Sequence, residues 1–239
     1  MNIRVFSTAQ EAQAADITGC TAVVIDVLRA TTVIPTALHR GARSIIPVVS
    51  PDEAFRYRQE HPDENVLLGG ERNMRLIEGF DLDNSPHSFT SQIVNGRSIV
   101  MTTTNGTLAL NAAKKAKITY VVSFANIKKS LEKIIASKSD VTIICSGTNG
   151  NFSLEDGLCT GLIVDKLFNL GNYKATDLAL ALRLTYLASV KDIKAAAFDG
   201  EHCMRLIKNG FGSDVDFCFD ESNDFEAVTY DGHQATICP

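Results

Sequence analysis

The chain has 239 residues, 45% of them hydrophobic and 21% charged, with a net charge of −5. That length buries a sizeable core, and the balance is that of a globular protein, neither disordered nor fibrous. The acidic excess argues against nucleic-acid and membrane-surface partners, which need a basic face to meet phosphate groups.

The N-terminal stretch MNIRVFSTAQEAQAAD has no continuous apolar run of the kind a signal peptide needs. No apolar run nears the roughly 20 residues of a bilayer span. Six cysteines (Cys20, Cys145, Cys159, Cys203, Cys218 and Cys238) lack CxxC spacing, so neither a zinc site nor a disulfide framework is predicted. Reduced thiols in a cytoplasmic protein are the expectation.

Segments 22–50 and 98–123 repeat one order of elements. Each opens with a β-branched run suited to a buried strand, 23–25 and 99–101. A Thr-rich polar loop, a helix-like pattern and a second strand (45–49 and 119–122) follow. Thr32-Val33 aligns with Thr107-Leu108 at an offset of about 75 residues. Helices then start at Ser50-Pro51-Asp52 and, after Asn126, over 127–136. They lead to third strands at 65–68 and 141–144, which end in the turns GGERN and CSGTNGN. This order predicts an internal duplication, with halves of about 1–97 and 98–239. Further helices are predicted over 154–170 and 176–188. The tail 214–237 reads as strands and turns (VDFCFD, EAVTYDG, QATI). Strands alternating with helices predict an α/β fold, a three-layer α/β/α unit with a mostly parallel or mixed sheet. No Ser/Gly- or Pro-rich linker divides residues 1–239, so one compact unit is expected.

In open α/β sheets, ligands bind beyond the carboxyl ends of the strands. That rule selects loops 26–32, 69–75, 102–107 and 146–156, which concentrate acids, arginines, hydroxyls and glycines. Asp26 ends the apolar run AVVI, a position for a metal ligand or nucleophile. Its plainer role is a helix cap, although the helix starts nearer Ala30 and Thr31 and Thr32 are also available. Glu71 and Arg72 follow two glycines and offer an acid to a cation and a base to an anion; the alternative is an exposed turn. Thr104, Asn105, Gly106 and Thr107, and likewise Ser146, Gly147, Thr148, Asn149 and Gly150, form polar turns entering helices. Their N–H and hydroxyl groups suit an anion. Neither turn matches a nucleotide fingerprint, and Asn-Gly also makes plain turns. Glu155 and Asp156 open the next helix, where acids ordinarily meet the dipole. Their loop nevertheless carries them toward the other carboxylates, and hard oxygen donors without a His cluster suit Mg²⁺ rather than zinc. Asn151 stands where a Cys-x₅-Arg loop needs arginine, so Cys145 reads as a buried structural thiol and Cys159 as core. His87, His202 and His233 lack partner spacing and read as surface or core residues.

The segments VVIDVLRATTVI, GGERN, GFDLDNSP, TTTNGT and CSGTNGNFSLEDGLCTG, in this order along essentially the whole chain, resemble the 2-phosphosulfolactate phosphatase family. The resemblance implies a Mg²⁺-dependent hydrolase that converts 2-phospho-3-sulfolactate to 3-sulfolactate and phosphate in coenzyme M biosynthesis. It also implies an α/β fold with two similar halves. On that reading Asp26, Glu71 and Glu155 or Asp156 hold Mg²⁺, and Arg29 and Arg72 grip anionic groups and join Asp26 as the catalytic set. Thr31, Thr32 and the threonine and glycine loops donate to the substrate, and Asn84 and Ser85 close over the sulfonate. The attacking group is water or a carboxylate, Asp26 first; a DxDxT mechanism is disfavoured because Leu28 holds the second position. The expected partner is a small anionic phosphorylated metabolite, and a homodimer follows from base rates alone. One alternative is a phosphatase for another phosphorylated 2-hydroxy acid. A carbohydrate or nucleotide transferase would need a stacking aromatic, but tryptophan is absent and only Phe89 and Phe152 lie near the loops. A non-catalytic binder of phosphorylated or sulfonated metabolites is opposed by the clustered acids, which repel such ligands.

Overall fold

The computed structural model describes residues 1–220 and 222–239. The strands are β1 Asn2–Phe6, β2 Thr21–Ile25, β3 Ser44–Pro47, β4 Leu67–Arg72, β5 Arg75–Leu76, β6 Ser98–Thr102, β7 Ile118–Val122, β8 Val141–Cys145, β9 Lys174–Ala175, β10 Val228–Tyr230 and β11 Ala235–Ile237. The helices are α1 Ala9–Gln13, α2 Ala30–His39, α3 Pro51–Glu60, α4 Ser91–Val94, α5 Gly106–Ala112, α6 Ile127–Ala136, α7 Leu154–Phe168, α8 Asp177–Ser189, α9 Ile193–Phe198, α10 Glu201–Lys208 and α11 Gly212–Cys218.

One mixed sheet runs β5, β4, β6, β3, β11, β10, β7, β2, β8, β1, β9. The neighbours from β4 to β3 and from β7 to β9 are parallel. The β10–β11 hairpin joins these two groups by antiparallel pairing with β7 and β3. Successive side chains of a strand point to opposite faces, and the cores follow that rule. Ala22 and Val24 of β2 join one cluster with Val33 of α2 and Leu110 of α5. Val23 and Ile25 join another with Leu158 of α7 and Leu182 of α8. In the other strand group Ile45 and Ile99 share the α2 and α5 side, whereas Ile46 and Val100 face Ala54 of α3. Helices therefore cover both faces, the three-layer α/β arrangement expected from the strand composition.

The two predicted halves interleave. β6 lies between β4 and β3, and β2 lies between β7 and β8, so 1–97 and 98–239 are not separate bodies and a duplication is not confirmed. Two segments differ from the sequence-based expectation. GGERN is not a turn, because Gly69 and Gly70 continue β4 beside Met101 and Thr102 of β6. The reversal comes at Asn73 and Met74, both at positive φ. Gly70 is required there, since at φ 146° a Cβ would overlap the Thr102 carbonyl oxygen. VDFCFD is not a strand either: residues 212–218 form α11, with Asp214, Val215 and Cys218 buried at helical spacing. Packing has overridden an alternating, β-like composition. EAVTYDG and QATI do supply antiparallel strands, while residue 221 of the predicted tail lies outside the described residues. Among the described residues no helix is long and apolar enough to cross a membrane.

Candidate active site

Loops leaving β2, β4, β6 and β8 converge on a cavity of about 240 Å³. Its wall contains Asp26, Arg29, Glu71, Asn84, Thr104, Asn105 and Asn149 from the expected set, joined by Leu28, Asn73, Met74, Thr103, His202, Arg205 and Leu206.

Asp26 is buried, and its Oδ1 accepts the Ala30 N–H at 3.1 Å. Its Oδ2 faces Gly106, where a Cβ would come within 2.6 Å. Glycine at the start of α5 thus keeps this oxygen unshielded. Burial pushes the Asp26 carboxyl up to about 6; nearby His202 and hydrogen bonds from the Ala30 N–H and Ser146 restrain the rise, and Glu71 adds to it. Glu71 is buried and aimed by two backbone donors, the Met74 N–H to Oε2 and the Thr104 N–H to Oε1, both at 2.8 Å.

Arg29 is 3% exposed and forms an ion pair with Asp214 Oδ2. Its guanidinium lies 4.3 Å from the Phe211 ring centre. Ser85 is not in the cavity wall; its hydroxyl donates to Asp214 Oδ1 at 2.8 Å and so holds the other side of that carboxylate.

Glu155 and Asp156, expected at the metal, are absent from the cavity wall. Asp156 accepts the Val27 N–H at 2.9 Å, the Ser146 hydroxyl at 3.1 Å and the Gly147 N–H at 3.2 Å. It ties loop 26–32 to loop 146–156. Burial, Glu155 and Asp26 all push its carboxyl well above the usual range. Glu155 pairs with His202 Nδ1 through Oε1 at 2.8 Å, while its buried Oε2 has no partner and lies on the Gly200 side.

Other expected substrate ligands hold the scaffold instead. Thr31 Oγ1 accepts the Asp26 N–H and donates to the Val122 carbonyl, and Thr32 donates to the Val27 carbonyl. Thr107 bonds to Thr103, Thr148 bonds to Ser153, and Gly147 and Gly150 take the positive φ their turn needs. Arg72 is turned away from the cavity, donating to the Glu71 and Val49 carbonyls and the Thr102 hydroxyl. Cys145 and Cys159 are buried, as expected. Phe89 is buried in the core, and Phe152 is exposed beside a neighbouring groove.

His202 corrects the sequence reading, which left it at the surface or in the core: it lines the cavity with its side chain 13% exposed. Its carboxylate partner lies 47 residues away in the chain, so local spacing carried no trace of it. Asp214 was missed for the same reason, its partner Arg29 lying 185 residues away, and Arg205 was missed as well. The detectable signal was His202 and Arg205 three residues apart on one helical face. Among the described residues no three His, Cys, Asp or Glu side chains group as a metal cluster.

The family model for 2-phosphosulpholactate phosphatase matches residues 6–230. The chain is 35% identical over 223 residues to a probable 2-phosphosulfolactate phosphatase of Clostridium beijerinckii, covering 93% of each. It is 39% identical over 220 residues to the one of Clostridium perfringens, covering 91% of this chain and 89% of that protein. To the one of Symbiobacterium thermophilum it is 40% identical over 209 residues, covering 86% and 88%. With a match this long, the chain belongs to the 2-phosphosulpholactate phosphatase family of phosphoric monoester hydrolases.

Proposed function

We propose that this protein is a Mg²⁺-dependent phosphatase that hydrolyses 2-phospho-3-sulfolactate to 3-sulfolactate and phosphate, serving coenzyme M biosynthesis in the cytoplasm. The observation that carries the reading is the pairing of Asp26 and Glu71 with Arg29, Arg205 and His202 in one small cavity. A cavity of about 240 Å³ suits a three-carbon diacid ester better than a nucleotide. Six cysteines without a disulfide among them agree with a reducing compartment.

The residues present fit Mg²⁺. This ion is typically held by one or two carboxylates plus waters and substrate phosphate, not by an all-protein cage. Asp26 and Glu71 would hold it. The unshielded Asp26 Oδ2 and the unpartnered Asn84 Oδ1 and Thr104 Oγ1 leave oxygen acceptors for it and its waters. When bound, Mg²⁺ supplies Lewis-acid neutralisation of the phosphate charge.

The chain's own groups do the rest. The Met74 and Thr104 N–H groups fix Glu71 against the charge beside it. Arg29, immobilised by Asp214 and Phe211, turns its remaining N–H groups to an anionic oxygen. His202, held through Nδ1 by Glu155, offers Nε2 as the proton donor to the departing 2-oxygen. As the ester P–O bond breaks, that oxygen takes up a proton, and the water that ends on phosphorus releases one.

Phosphate release from racemic 2-phospho-3-sulfolactate, phospholactate and phosphoglycerate, with Mg²⁺ or with EDTA, tests the reading. Release that needs Mg²⁺ and favours the sulfonated ester is expected. Preference for another ester would keep the phosphatase and replace the substrate. No release from any ester would reject the reading in favour of a binding protein.

A further inference from the structure

Arg205 is the one arginine of the cavity wall without a protein partner among the described residues. Arg29 is committed to Asp214 and Phe211, whereas no ion pair or hydrogen bond engages the Arg205 guanidinium. Its Nε is buried and has no hydrogen-bond partner. A buried N–H left unmatched is rare in folded proteins, and with no ion pair on the rest of the guanidinium the side chain is not committed to the protein's own acceptors. Here the side chain is a fork-shaped cation, so the acceptor it suits is a multi-oxygen anion.

Its position adds the second argument. Arg205, His202 and Asn149 line both the main cavity and a small neighbouring groove, so Arg205 stands where the two spaces meet. Asp26 and Glu71 line the main cavity alone. A ligand with one anionic group against Asp26 and Glu71, through a cation, meets a second, cation-free positive charge at this junction. The fixed negative charges at one end make that end hostile to a second anion without a metal, and Arg205 makes the other end favourable.

We propose that Arg205 binds the second strong-acid anion of the substrate, the sulfonate of 2-phospho-3-sulfolactate, and sets the preference for sulfonated over unsulfonated esters. This rests on the phosphatase reading for its substrate, but the anion site itself does not depend on turnover. The sulfonate oxygens match the terminal N–H donors of the guanidinium. A neutral or shorter group at the same place leaves those donors unmatched, which is the basis of discrimination.

The test compares the wild-type protein with Arg205→Met and Arg205→Lys. One arm measures calorimetric binding of 3-sulfolactate and of lactate. The other measures kcat/KM for the sulfonated ester and for phospholactate at fixed Mg²⁺. In Arg205→Met the preference for the sulfonated partner of each pair is expected to fall about 30-fold or more, with partial recovery in Arg205→Lys, which keeps the charge but not the fork. Circular dichroism on each variant separates a lost site from a lost fold. An unchanged binding preference in a folded Arg205→Met protein overturns the proposal. If no ester is turned over by the wild type but the sulfolactate preference still depends on Arg205, the phosphatase reading falls and the anion site stands.

Discussion

Asp26→Asn is expected to lower kcat/KM for phosphate release by about 10³-fold or more and, at the same time, to raise the stability of the ligand-free protein at neutral pH. The first effect follows from the place of Asp26: it is one of two carboxylates lining the cavity, and its Oδ2 is kept unshielded by Gly106. The second follows from burial, which lifts its pKa from 3.8 to about 6. The folded protein therefore holds the proton more tightly than the unfolded chain. Stability contributed by the protonated carboxyl is complete below about pH 4 and is lost as pH rises through about 6. Two pKa units at 1.36 kcal/mol each make the ionised form costly by about 3 kcal/mol. Asparagine keeps the shape and the Ala30 hydrogen bond but carries no charge to desolvate. Urea denaturation of metal-free wild type and variant between pH 4 and pH 8 measures this directly. A variant less stable than wild type at pH 7.5, or one with unchanged pH dependence, contradicts the burial account.

Asp214→Ala is expected to destabilise the fold by about 3–5 kcal/mol, the cost of leaving a buried charge without its partner. Arg29 and Asp214 are both nearly inaccessible, and Asp214 also accepts the Ser85 hydroxyl. The pair thus fastens α11 and the 80–90 segment to the loop after β2. Arg29→Met alone should destabilise comparably, because it strands the carboxylate. The double variant Arg29→Met/Asp214→Ala removes both charges and should lose less stability than either single variant, while phosphate release is abolished. Chemical denaturation of the four proteins forms a double-mutant cycle. Additive losses would mean that the two side chains do not act as a buried pair.

Strands and site loops written in local pattern were readable. The β-branched runs found β2, β6, β7 and β8, and α6 matched its predicted ends because its start and length were local properties. Asp26 stands out in the sequence because an acid closing an apolar strand has few structural uses, and it lines the cavity. What escaped was set by distant contacts. Glu155 looked like a metal ligand by its neighbours in sequence, yet it serves His202 on α10, a partner no spacing could indicate. Thr31 and Thr32 looked like substrate donors, yet they are fully buried and close hydrogen bonds of the β2–α2 junction. Asp214 was hidden in a segment whose alternation imitated a strand, and only packing made it helical. The GGER run reads as a turn because glycines usually punctuate; here they extend β4, which passes close to Thr102 of β6.

The most direct test of the account is a crystal structure of the protein with Mg²⁺, phosphate and 3-sulfolactate. The account predicts the metal between the Asp26 and Glu71 carboxylates, the phosphate on it beside Arg29, and the sulfonate at Arg205, all within the cavity of about 240 Å³. Metal and phosphate found elsewhere, such as the groove lined by Arg4, Asp16, Asp140 and Lys174 at the other strand ends, would contradict it.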